Sequence, residues 1–112
     1  MSEGDLRQSL EKIKSPRILV VGDLMLDYYS WGKVDRISPE APIPVMRVLR
    51  EDRRLGGAGN VVMNLTTLGA EVFVCGVTGK DETGEYILKL LAENGVDHSG
   101  VIISENYKSC LK

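Results

Sequence analysis

The sequence predicts an α/β fold in which helices cover a largely parallel sheet, and three observations carry that prediction. Residues 17–22 and 71–79 are short, nearly continuous apolar runs rich in β-branched side chains, the pattern of core strands. Stretches with apolar residues at helical spacing separate the strand-like runs, and glycines at 69 and 95 stand where those helices should stop. The order strand, ribbon, helix, strand, helix, strand then follows, without internal repeats or a low-complexity linker.

In chain order, Leu6, Leu10 and Ile13 lie four and three residues apart among charges, which predicts a short amphipathic helix over 3–14, ending before Pro16. Residues 17–22 predict a strand buried on both faces, placed centrally in the sheet. Between 25 and 52 the texture changes to two exposed strands, Asp27–Gly32 and Ile43–Val48, around Ser38-Pro39-Glu40-Ala41-Pro42. Prolines at 42 and 44 exclude a central strand, so this segment reads as an edge or projecting ribbon. The apolar spacing after Asn60 predicts a helix to about Leu68, followed by the strand over 71–79. Asp81 is suited to cap the next helix, with Tyr86, Leu90 and Leu91 facing inward. Residues 96–103 predict a further strand and Tyr107–Leu111 the start of another, and residues 101–112 read as the first arm of a hairpin. With no return arm, such a sheet leaves apolar edges open, which suggests a piece of a longer protein.

The chain has 112 residues, the size of one small domain. Its formal charge of −2, with both signs interspersed, offers no electrostatic footprint for nucleic acid or an anionic membrane. Ile18–Val21 is too short to span a bilayer, and no signal peptide precedes it, so a cytoplasmic protein is expected. Cys75 and Cys110 suit a reducing compartment and show no metal-ligand spacing, and the single histidine, His98, reads as an exposed loop residue. No metal site is expected in this chain.

The segment Arg54-Leu55-Gly56-Gly57-Ala58-Gly59-Asn60 is the strongest candidate for chemistry. Three glycines in four positions let backbone amides approach a ligand closely, and the helical run that follows puts them over a helix N-terminus. The spacing is neither G-x-G-x-x-G nor a P-loop, so nucleotide phosphate is disfavoured here. The residues alone leave open both a ligand loop and a tight strand-to-helix turn.

A strand ending in Gly22-Asp23, then Asp27, the Gly56-Gly57-Ala58-Gly59-Asn60 loop, Gly69 and Gly79 stand at intervals that resemble the N-terminal third of a ribokinase-like carbohydrate kinase, over roughly residues 14–112. Within that family, Gly22–Tyr29 and Arg36–Val45 look like the D-glycero-β-D-manno-heptose 7-phosphate kinases, often fused to an adenylyltransferase domain. Val62 departs from the Ser, Thr or Ala usual two residues after the asparagine, and the family's second signature, Asp-Thr-x-Gly-Ala-Gly-Asp, is absent from this sequence.

The resemblance implies a three-layer sandwich with a projecting β-ribbon lid over about 25–52. It implies that residues 1–112 are the N-terminal portion of one kinase domain, whose catalytic base and ATP-binding part lie elsewhere. The full protein would use ATP and Mg2+ to phosphorylate the anomeric hydroxyl of the heptose phosphate on the way to ADP-heptose and lipopolysaccharide. No catalytic residue and no bound cofactor are then expected in this chain.

The resemblance makes Asp27 the sugar-binding carboxylate, with Asn60 bridging vicinal hydroxyls, Gly56 and Gly57 packing backbone against the ring, and Asp23 as a further candidate. Tyr28, Tyr29 and Trp31 belong to the lid, Arg36 and Arg47 are candidates for the substrate phosphate, and lid pairing implies a homodimer. A non-catalytic interaction module, with the ribbon as its dimer surface, is the alternative.

Overall fold

The computed structural model describes residues 2–41 and 44–112, apart from the side chains of Asp35 and Arg36. Pro42, Ile43 and the proposed phosphate contact of Arg36 therefore lie outside the described residues. The elements are α1 (Glu3–Lys12), β1 (Arg17–Val21), β2 (Leu24–Ile37), β3 (Pro44–Gly57), α2 (Ala58–Thr67), β4 (Glu71–Gly79), α3 (Glu82–Glu93), β5 (Asp97–Ser104) and β6 (Cys110–Leu111). They form two three-stranded sheets, a parallel one ordered β1-β4-β5 and a mixed one ordered β3-β2-β6.

The core lies between the sheets and one helical layer. Val72 and Val74, two apart on β4, turn to the same face and meet Val62 of α2 and Ile87 and Leu91 of α3, with Val96 closing the far side. The mixed sheet contributes Leu24, Leu26 and Leu55, all buried at the base of the ribbon. Asp81 caps α3 as its sequence position suggests, accepting the Gly84 N–H at 2.7 Å. Gly69 and Gly95 take positive φ just beyond α2 and α3, as expected of helix-ending glycines.

Three expectations are corrected, while the helix expected over 3–14 is present as α1. β1 is an edge strand and β4 is central; only Ile18 and Val20 of β1 are half-buried, while Leu19 and Val21 are exposed on the face opposite the helices. The alternation that continuous apolar runs conceal is therefore present in the fold. α1 has a full capping box between Ser2 and Asp5 but buries none of its residues, so its apolar stripe is unpartnered here. His98 sits inside β5, half-buried, with Nδ1 3.3 Å from the Val96 carbonyl oxygen. Residues 101–112 are not a single hairpin arm: they hold the end of β5 and then β6, which starts a strand of the other sheet beside β2 in parallel.

The ribbon is longer than its sequence suggests. β2 and β3 each run 14 residues, reaching about 46 Å at strand rise. Register shifts fall between Trp31 and Gly32 and between Val34 and Arg36. Beyond its base the ribbon is exposed, Val34, Ile37, Met46, Val48 and Leu49 included.

Ile87 has no accessible surface and sits where α3 meets the buried leucines and valines. Ile87→Ala should cost about 2–5 kcal/mol in chemical denaturation; a loss no larger than that of an exposed-site control would place the core elsewhere.

Candidate functional site

The base of the ribbon is where the singled-out residues gather. Leu24 and Leu26 point into the core, so strand alternation turns Met25 and Asp27 to the opposite face, and Asp27 is half-buried there. Antiparallel pairing sets Arg54 opposite Asp27 and Gly56 opposite Met25. The Asp27 carboxylate lies directly across the Gly56 backbone: a Cβ at position 56 would collide with both its oxygens and its Cγ. Any side chain there would displace the carboxylate, which is a local reason for glycine.

Gly57 has a different requirement. Its φ of 56° and ψ of −133° turn β3 straight into α2 with no intervening loop. The Asp23 carbonyl accepts the Ala58 N–H at 2.8 Å, holding the first turn of the helix, and would lie 2.5 Å from a Cβ on Gly57. Asp23 thus acts here through its backbone, while its side chain is exposed. The helix N-cap carries no side-chain hydrogen bond.

Asn60, on the first turn of α2, is exposed. It opens into a hollow of about 280 Å³ walled also by Arg53, Arg54, Leu55, Met63, Leu90 and Asn94. Asp27 is not among those walls. The structure therefore brings Asp23, Asp27, Gly56 and Gly57 together at the junction, whereas Asn60 opens into the hollow between Leu55 and α3, of which Asp27 is no wall.

The aromatic segment divides between the two faces. Tyr29 and Trp31 stack with centroids 5.6 Å apart on the Asp27 face, with Arg50 over Trp31 at 4.0 Å and Arg54 over Tyr29 at 5.3 Å. Arg54 Nε also reaches Asp52 Oδ2 at 2.8 Å, and this hydrogen bond holds the Asp52 carboxyl below the usual carboxylate range. Tyr28 faces the other way, where Arg53 lies between its ring and that of Tyr86. A hydrogen bond with Glu51 pushes the Tyr28 phenol above its ordinary value. The sequence reading overlooked Arg50 and Asp52 and gave Arg54 no role of its own. Their every-second-residue spacing opposite Trp31, Tyr29 and Asp27 is the signal that could have found them.

Arg47 pairs with Lys33, seven residues along β3 from Arg54 and so about 23 Å from the junction at strand rise. Among the described residues no group of three or more His, Cys, Asp or Glu side chains could hold a metal ion. No helix among them is long and apolar enough to cross a membrane.

Solved structures set these elements in the ribokinase-like α/β class. The fructokinase of Xylella fastidiosa matches 87% of this chain with 27% of its own, at a TM-score of 0.66 and 26% identity. The same fructokinase with bound ATP matches 88% of this chain with 29% of its own, at a TM-score of 0.63 and 25% identity. The chain belongs to the pfkB family of carbohydrate kinases, whose profile matches residues 15–112. Among curated relatives it is similar to the bifunctional protein HldE of Helicobacter pylori, at 52% identity over 96 residues, which is 86% of this chain and 21% of that protein. The chain thus spans about a fifth of the length of the curated relatives it matches.

Gly57→Ala should destabilise the protein by more than the roughly 1 kcal/mol typical of a strained backbone site, because it adds a clash with Asp23 to an unfavourable φ. Chemical denaturation beside Gly69→Ala, where a Cβ meets nothing within 4 Å, separates the clash from the φ cost; equal losses would refute the close approach.

Proposed function

We propose that residues 1–112 are the N-terminal portion of a sugar kinase domain that transfers the γ-phosphoryl group of ATP to the anomeric hydroxyl of D-glycero-β-D-manno-heptose 7-phosphate. The product would feed ADP-heptose and lipopolysaccharide precursor synthesis. The observation that carries the reading is the Asp27 carboxylate held across the bare backbone of Gly56. A sugar presents paired hydroxyl donors, and a fixed carboxylate accepts them through charge-assisted hydrogen bonds. The likeness to HldE proteins near half identity supports the choice of substrate, and the fructokinase with bound ATP supports the choice of donor. ATP is supplied in the cytoplasm, where this reading has the enzyme act.

In this role Asp27 orients the sugar, Gly56 and Gly57 admit the ring to the backbone, and Asn60 reaches further hydroxyls from the first turn of α2. Asp23 contributes by bracing that turn. The catalytic base, the magnesium ion and the nucleotide pocket belong to parts of the enzyme outside this chain. The ribbon acts as a lid that excludes water from the transfer. Its exposed outer residues, Val34, Met46 and Val48, provide the apolar surface for pairing with a second copy.

In the full-length enzyme, Asp27→Ala and Asn60→Ala should each weaken heptose 7-phosphate binding about tenfold or more, as loss of hydrogen bonds to or from a ligand predicts, with ATP affinity unchanged. Calorimetry with both ligands checks this. Equal losses for sugar and ATP would point to misfolding, and no loss for either variant to a non-catalytic role for the junction. Replacing Met46 and Val48 together by aspartate should convert the dimer to monomer in analytical ultracentrifugation; an unchanged sedimentation coefficient would exclude the ribbon as the interface.

A further inference from the structure

β6 is two residues long, yet Lys112 beside it brackets Asp27. Its N–H donates to the Leu26 carbonyl at 2.9 Å, and its carbonyl accepts the Tyr28 N–H at 2.8 Å. The peptides on both sides of Asp27 are therefore held from one flank of β2, while β3 pairs with the other flank. The course of β6 alongside β2 is set at its start by what anchors the residue before it.

That residue is Ser109, only 6% exposed. Its Oγ accepts the Gly79 N–H at 2.8 Å, and its own N–H donates to Asp81 Oδ2 at 2.9 Å. The other carboxylate oxygen of Asp81 accepts the Gly84 N–H at 2.7 Å as the cap of α3. One carboxylate thus ties the approach to β6 to the first turn of α3 and, through Ser109, to the end of β4. These hydrogen bonds, that of the Ser109 N–H foremost and then that of Gly84, hold the Asp81 carboxyl below its ordinary range. The packing is tight: a Cβ on Gly84 would meet the Gly79 carbonyl and lie 2.8 Å from Ser109 Oγ.

We propose that Asp81 and Ser109 are positioning residues for the sugar site, fixing through β6 the backbone on either side of Asp27 so that its carboxylate stays over Gly56. This rests on the reading of Asp27 as a sugar ligand. Positioning matters because a displacement of even 1 Å at a binding group costs up to about a hundredfold in rate. An exposed cap, by contrast, would affect only the stability of α3.

The test uses the full-length enzyme, with heptose 7-phosphate and ATP binding measured by calorimetry and amide exchange by mass spectrometry. Asp81→Asn keeps one oxygen for the Gly84 N–H but turns a donor toward Ser109, and Ser109→Ala removes the acceptor for Gly79. Each should weaken sugar binding about tenfold while leaving ATP binding unchanged, and should speed exchange in the segment holding the Tyr28 amide with α3 still protected. Ser109→Thr, which keeps the hydroxyl, should bind sugar more tightly than Ser109→Ala. In an Asp27→Asn background Asp81→Asn and Ser109→Ala should have no further effect on the sugar, because groups acting through one contact are not additive.

If Asp27→Asn alone leaves sugar affinity intact, the sugar reading fails and the proposal with it. If Asp27→Asn weakens sugar but folded Asp81→Asn and Ser109→Ala bind it as wild type does, or add their full effect to Asp27→Asn, the positioning role is overturned while the sugar reading stands. Should Ser109→Ala not fold, Asp81→Asn decides alone by the same criteria.

Discussion

The close approach of three backbones at the root of the ribbon is the constraint on which the rest of this structure depends. β3 must pass directly into α2 at Gly57, the Asp23 carbonyl must reach the first amide of that helix, and Asp27 must lie over Gly56. None of these is possible with a side chain in the way. Glycine is unfavourable within a strand, where it loses more conformational entropy than other residues and packs nothing. The cost is offset just beneath the junction, where Leu24, Leu26 and Leu55 are buried in the core shared with α2, β4 and α3.

This arrangement divides the ribbon into two physical regimes. At its root, buried leucines and the bonds to Lys112 specify one position. Farther out, the contacts include cation–π pairs and an exposed Arg54–Asp52 ion pair, and surface pairs of that kind contribute little to stability. The outer ribbon is accordingly held by backbone pairing and its own register shifts, with apolar side chains left in solvent. The lid role proposed above would use this gradient, since a rigid root can orient a ligand while the tip moves.

Much of the fold was legible in the sequence, because periodicity and glycine punctuation are local signals. The strands at 17–22 and 71–79, the cap at Asp81 and the glycines ending α2 and α3 all lie where spacing put them. What spacing could not supply was strand order. The apolar run Ile18–Val21 reads the same in a central strand as in an edge strand with one open face, and only pairing with β4 alone decides. Leu55–Gly57 read as a loop because glycines weaken strands; cross-strand pairing with Leu24–Leu26 overrode that local preference. Likewise the strand start at Tyr107–Leu111 was legible but its pairing with β2 was not, since no local signal reveals a contact made more than 80 positions away.

The candidate site shows the same division between local and tertiary information. Residue types identified Asp27 and the glycines, and the structure gives their proximity a steric cause. Residue types did not predict that Tyr28 would turn away from Tyr29 and Trp31, although strand alternation requires it once β2 is continuous through that segment. The consequence is chemical. On one face, Asp27, Arg54, Asp52, Tyr29, Arg50 and Trp31 form a row of alternating charge backed by rings. On the other, Arg53 bridges the ribbon to α3 through Tyr28 and Tyr86. A polyol docking at Asp27 would therefore meet donors and acceptors in turn along the first face. The second face joins the ribbon root to α3, whose first turn Asp81 caps.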